Sequence, residues 1–532
     1  MSDDGILSDH RWSRRKLVPP MLDALGDDLA LVKWKYEIVP ELIWIAELLK
    51  KSGPQYTARI VEECAEASQE AVGGAGFVLL REYDELEQAE ITQIRENIGD
   101  TTKSELSNHL STLTSVYPNL PIAGLFDSSS EGEPDDEELQ EVAETISRLS
   151  SKRSPFAMKV QGIWVGTLAM TGKLKIMEGV EFGDINEIFN YPKTEESKKV
   201  GAMVRAAVSA FHGVSRETES SSQSRWATAL WERGFEVSEC IFPFELEDED
   251  SGEYDSVEES DSEFFETIAA MGFDFERELK QTLAELWYKA PHDPEFTGKT
   301  EVLDGLLMRQ VNLACTVAIS PQTWSMDICG MILRSMAETQ ITLEWFNKNG
   351  TTEDYKQFID HGLGQRKLIL EHQQRILERS KPDDADQLRQ AFDEMEAQLE
   401  AEKYKFLIPV DVDSWSKKST RDLAIEADCK DLYDFRFQYH NAAIHGSWDF
   451  IKDQNLVNCQ NPLHQHHRIL QFQPLAKNPF GVIEAGNLVK RSLDTWLQAR
   501  GLEDEKFEIP DLPENVRAYL SESEDFKGMP GV

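Results

Sequence analysis

The densest polar chemistry in the chain lies in one stretch, Asp431-Leu-Tyr-Asp-Phe-Arg-Phe-Gln-Tyr-His-Asn-Ala-Ala-Ile-His-Gly-Ser-Trp448. On a helix, Asp434, Gln438, Asn441 and His445 fall at i, i+4, i+7 and i+11, forming one stripe between aromatic and alanine positions. If that stripe is buried, each polar group needs a partner, so it faces another polar element or a ligand. Gly446 directly after His445 marks a helix end. The imidazole then sits at the negative end of the helix dipole, which favours its protonated form.

A second polar set lies in Ser325-Met-Asp-Ile-Cys-Gly-Met-Ile-Leu-Arg-Ser-Met-Ala-Glu338, where Asp327, Arg334 and Glu338 share a face at i, i+7 and i+11. Arg334 and Glu338 are an i,i+4 pair, which in a core helix is a structural ion pair locking two helices together. The alternative is that Arg334 supplies fixed positive charge beside His445, where an RNA phosphate would sit. A third set is Cys459-Gln-Asn-Pro-Leu-His-Gln-His-His467. His464, His466 and His467 with Cys459 are residue types that zinc accepts, but structural zinc sites usually arrive as two well-spaced pairs. Asn461-Pro462 also reads as a cap and first turn, with His464 and His467 on one face. A packing role is therefore expected for this cluster, and no metal or cofactor.

Helices must position these groups. Pro40-Glu-Leu-Ile-Trp-Ile-Ala-Glu-Leu-Leu, Tyr56–Ala71 and Glu137–Lys152 carry helical periodicity, with Pro40 suited to a first turn. Tyr355–Arg379 and Ala385–Lys405 read as long helices separated by Ser380-Lys-Pro-Asp-Asp. A short β pair is expected around Ala157–Ile176, from Val160, Ile163, Val165 and the turn at Thr171-Gly172. The fold class is mainly α. Two acidic stretches divide the chain: an exposed loop over 127–136, and a run over 245–266 in which twelve of twenty-two residues are acidic and none is basic. Such a run repels itself and has little to bury, so a disordered linker is expected there. The resulting blocks are an N-terminal helical domain (1–126), a middle, mostly helical domain (137–244), a helical domain (267–500) and a C-terminal tail (501–532).

Composition narrows the function. Fifty-five Lys+Arg against ninety-seven Asp+Glu leave a formal charge of −42 on 532 residues, which disfavours a large basic groove for duplex DNA. The longest apolar stretches fall short of the ~20 residues that span a bilayer, and no secretory signal opens the chain. Six cysteines without a CxxC suit a reducing cytoplasm rather than a disulfide framework. Cys64, Cys240, Cys315 and Cys329 sit in apolar contexts and read as small buried hydrophobes. The basic His10-Arg-Trp-Ser-Arg-Arg-Lys segment is expected to pair with acidic residues of its own chain. There is no Walker loop, GxSxG elbow or HExxH.

The combination Leu333-Arg-Ser-x-x-Glu338, Leu432-Tyr and His445-Gly resembles a bacterial family catalogued as domain of unknown function 5677, over roughly residues 300–490. Pro40-Glu-Leu-Ile-Trp, Tyr117-Pro-Asn-Leu-Pro and Asn461-Pro-Leu-His resemble an uncharacterised long bacterial protein family. The helical core also resembles the HEPN group of nucleotide-binding and ribonuclease domains, common in toxin–antitoxin and antiviral systems. That group's nuclease motif is Arg, a polar residue, three residues, then His. In His440-Asn-Ala-Ala-Ile-His445 the Asn and final His match, while His440 replaces Arg and Arg436 lies one turn earlier. The resemblance implies a C-terminal HEPN-like bundle that homodimerises and cleaves RNA without metal, or a degenerate relic of one. His445 would be the acid or base and Asn441 would orient it. Arg436 and Arg334 would face phosphate, with Glu338 fixing Arg334. His440 stands where the standard arrangement has Arg, and the competing reading is a noncatalytic helical scaffold for an unknown protein partner.

Overall fold

The computed structural model describes residues 10–13, 16–18, 33–74, 76–127, 133–174, 185–214, 225–243, 259–291, 294, 296–379, 382–403, 405–465, 467–473 and 475–523. It is predominantly α-helical. The described strands are two short pairs, β1 (Arg11–Ser13) with β2 (Lys16–Val18), antiparallel, and β3 (Leu456–Asn458) with β4 (Arg468–Leu470). The chain divides into two compact units: residues 1–246 with 457–469, and residues 247–456 with 470–532.

The first unit is built around α1 (Val39–Ser52), which carries Pro40 in its first turn, where no backbone N–H is needed. Val39, Leu42, Ile43, Trp44, Ile45 and Leu48 are all buried, so this helix is covered on every side. Its two buried carboxylates are matched: Glu41 accepts from the Arg81 amide at 2.8 Å, and Glu47 accepts from Thr145 at 2.6 Å and lies 3.2 Å from Lys51. Around it lie α2 (Pro54–Val72), α3 (Asp100–Val116) and α4 (Asp136–Ser150). The stretch expected to form a β pair is instead α5 (Pro155–Met170), capped by Ser154, whose hydroxyl accepts from the Ala157 amide. Val160, Ile163 and Val165 are buried within it, so burial overrides local β preference. Residues 175 and 176 of the expected pair lie outside the described residues. Trp226 and Trp231, on α6 (Arg225–Val237), donate their indole N–H groups to the carbonyls of Pro40 and Tyr36. One apolar core runs through these helices from Ile38 to Trp231 and includes Leu463.

The second unit opens with α7 (Glu259–Lys289), which begins inside the acidic run. Residues 259–266 are thus helical rather than linker, and 244–258 lie outside the described residues. Next comes α8 (Gly298–Ile319), long and apolar enough by length and composition to cross a membrane, contrary to expectation. Val302, Leu303, Leu307, Val311, Ala314 and Val317 of α8 are buried in the unit's core, as a core helix requires. It packs against α7, α9 (Met326–Asn349) and α13 (Phe480–Ala499). α10 (Thr352–Leu377) and α11 (Pro382–Glu402) form a hairpin closed by Leu370, Leu399 and Ile408. α12 (Gln438–His445) lies on α9. Within the terminal block, α14 (Leu512–Glu522) buries Leu512, Val516 and Leu520 in the same core.

Candidate functional site

The polar segment enters α12 through a π turn, Tyr433–Phe437, and leaves it at Gly446, which is left-handed at φ 53°. The π turn inserts one residue, so the buried positions are Leu432, Phe437 and His440, spaced five and then three apart. This turns the expected stripe outward. Asp434 is half-buried and paired with Lys430, Gln438 and His445 are exposed, and Asn441 is half-buried. The stripe is therefore not a buried polar network.

The six candidate residues fall into three groups. His440 and Arg436 converge on Glu484 of α13: His440 Nε2–H donates to Glu484 Oε1 at 3.1 Å, and Arg436 Nη1 lies 2.9 Å from the same oxygen. Arg334 pairs with Glu338 at 2.5 Å and stacks over the Phe437 ring at 4.2 Å, while Thr420 donates to Glu338 at 3.4 Å. Asn441 and His445 form the third group, and neither side chain makes a hydrogen bond or ion pair among the described residues. Helical geometry explains the separation. Five residues at about 100° each set His440 and His445 roughly 140° apart around the axis, whereas Asn441 and His445 share a face.

Glu484 was not legible as a site residue, and neither was the polar cleft beside it. That cleft, about 370 Å³, is lined by Asp431, Phe435, Arg436, Glu484, Asn487 and Arg491. Arg491 is clamped by both oxygens of Glu344, at 2.6 and 3.1 Å, and by Asp431 at 2.9 Å. Burial opposes its charge, but these carboxylates outweigh burial and hold the guanidinium protonated above its ordinary range. Asp431 is likewise penalised by burial, but Arg491 more than offsets this and keeps its carboxyl below the usual range. Asp431 and Glu484 thus line the cleft with Arg436 and Arg491, and Glu344 holds Arg491 from outside it, so both guanidiniums are already paired with carboxylates rather than offered to a phosphate.

The Cys459 segment lies in the first unit with Cys240, which follows α6. Asn461 caps the turn Pro462–His464 as expected, its side chain accepting from the Leu463 amide at 2.9 Å. The reading of Cys240 as an inert hydrophobe needs correction. Its sulfur lies 3.5 Å from His464 Nδ1 and 3.3 Å from His467 Nε2, and Cys459 Sγ lies 3.7 Å from His464 Nδ1. The imidazoles come from more than 220 residues away, so no flanking residue announces them. Phe235 stacks on His464 at 4.3 Å, and burial holds both imidazoles below their ordinary pKa. His466 lies outside the described residues. Cys64, Cys315 and Cys329 are buried as expected.

A family of unknown function, DUF5677, matches residues 300–461, the span from α8 through α12 into the Cys459 segment. This supports the resemblance carried by Leu333-Arg-Ser, Leu432-Tyr and His445-Gly in that span. No curated protein and no solved structure matches the chain.

Proposed function

We propose that the second unit is a degenerate HEPN-like domain that acts as an interaction module, with a second copy of this chain as its partner, in a bacterial cytoplasmic stress or defence role. The observation that carries this reading is the commitment of cations near the motif helix: Arg334, Arg436 and Arg491 are each engaged by carboxylates of their own chain. His440, at the position where the motif has Arg, is buried and bonded to Glu484. Such groups hold helices together rather than neutralise a phosphorane. The exposed surface of the same segment is aromatic: Phe435 is 73% and Tyr439 66% exposed, and Ile444 is also exposed. Exposed aromatic side chains of this kind favour association.

One observation favours a second reading, a metal-independent endoribonuclease. His445 is exposed at a helix end beside Asn441, with no hydrogen bond to restrain it, as an acid–base group needs. Incubating a mixed RNA pool with purified protein in EDTA, wild type beside His445→Ala, separates the two. The module reading expects no cleavage by either, together with a dimer in sedimentation that Tyr439→Glu dissociates. Cleavage by wild type alone would overturn it in favour of the nuclease. A monomeric wild type would remove the second copy as partner.

A further inference from the structure

We propose that Cys240, Cys459, His464 and His467 form a structural zinc site that fastens residues 457–469 into the first unit. Their four donor atoms lie within 4.8 Å of one another. A tetrahedral zinc with Zn–S near 2.3 Å and Zn–N of about 2.0–2.1 Å has sulfur–nitrogen edges of about 3.6 Å. The three such edges measured here are 3.3, 3.5 and 3.7 Å. Those three of the four sulfur–nitrogen edges match the spacing the ion imposes, and every other donor pair lies within 4.8 Å.

The surroundings prepare the ligands. His464 Nε2–H donates to the Ser238 carbonyl at 3.2 Å, which fixes the tautomer and leaves Nδ1 as a bare lone pair aimed at both sulfurs. A backbone carbonyl behind a histidine is the usual outer partner of a metal-bound imidazole. Without an ion, the two thiols have only weak S–H contacts to offer His467 Nε2 and His464 Nδ1, and four lone-pair-bearing atoms crowd one small space. A shared cation resolves this: two thiolates cancel its double charge, and two neutral imidazoles complete the shell, so the buried site is neutral overall. Four protein ligands leave no open position, which makes the site structural rather than hydrolytic.

The scaffold is equally specific. The Asn461 amide donates to Ser238 Oγ at 2.9 Å and to the Glu239 carbonyl at 2.8 Å, tying the ligand loop to the segment that carries Cys240. The Gln460 amide donates to the Ile241 carbonyl, and the Cys459 amide to the His467 carbonyl, both at 2.8 Å. Gln465 takes a left-handed conformation, φ 61°, that turns the chain between the two histidines. Cys459 and His464 are buried, while Cys240 and His467 are half-buried, leaving a route for the ion.

Full-length protein purified without chelator under reducing conditions should carry about one zinc per chain by mass spectrometry. Replacement with cobalt(II) should give the visible absorption of a tetrahedral ion and a thiolate charge-transfer band. Cys240→Ala and His467→Ala should each lower bound zinc roughly tenfold or more, whereas His361→Ala, in the second unit, should not. Less than about a tenth of an equivalent in wild type, with no cobalt spectrum, would overturn the proposal. A Cys240–Cys459 disulfide in anaerobically purified protein would overturn it as well. If a ligand variant does not fold, wild-type stoichiometry and the cobalt spectrum decide.

Discussion

Glu484→Ala tests whether the motif helix is anchored rather than catalytic. The carboxylate is mostly buried, at 17% exposed, and one oxygen serves both His440 and Arg436. Removing it orphans the buried His440 N–H, worth about 1–3 kcal/mol. The Arg436 side chain is 44% exposed and returns to water, so its pair adds only ~0–1 kcal/mol after screening. The sum is about 2 kcal/mol, equivalent to roughly thirtyfold in the local opening equilibrium. Hydrogen exchange read by mass spectrometry resolves this without interference from the first unit. Peptides covering α12 and α13 should exchange roughly thirtyfold faster in Glu484→Ala, whereas Glu484→Gln, which keeps an acceptor, should lose less than about 1 kcal/mol. In a His440→Phe background the same Ala substitution should cost at least ~1 kcal/mol less, because the orphan no longer exists. Exchange within about threefold of wild type, or an equal effect of His445→Ala, would refute the anchoring argument.

Two further outcomes follow from packing. A methyl at Gly234 would run into the Leu463 carbonyl oxygen, a backbone atom that cannot swing aside. Gly234→Ala should therefore cost about 1–2 kcal/mol net of the helix preference for Ala, and speed exchange across 457–469; a stabilised variant would contradict the close approach. Burial pushes the Cys315, Cys329 and Cys429 thiols up to about 12. Raised pKa favours the protonated thiol, so at pH 8 only about one part in ten thousand is thiolate, and native-state alkylation should be slow until the pH approaches 12. In chelator-treated protein the half-buried Cys240 should react first; peptide mapping that finds Cys329 alkylated ahead of it would count against this.

Helix positions were legible where punctuation is local. Pro40 fixed one start, and Pro382, within the expected break, opens the helix Pro382–Glu402 that follows Thr352–Leu377. Failures share a different cause. The run around Val160 to Val165 is apolar on all sides, which suits a short strand or a buried helix equally until length and the Ser154 cap are weighed. The π turn at Tyr433–Phe437 rotates every later side chain, and nothing in a 3.6-residue template anticipates an inserted residue. Glu484 lies 44 residues from His440, and Cys240 lies 224 from His464, so their pairing is a product of folding rather than of spacing.

The order in which the ribosome releases this chain has a consequence for the first unit. Leu463, part of that unit's core, and the loop bearing Cys459, His464 and His467 are synthesised only after most of the second unit. At ~5–20 residues per second, the gap between residues 246 and 469 takes about 10–45 s. For that interval the N-terminal helices stand with the socket beside Gly234 open and Cys240 without its partners. The usual N-terminal-first order is thereby reversed for one piece of the core, and a nascent chain stalled before residue 457 offers a chaperone an apolar surface that the finished protein does not.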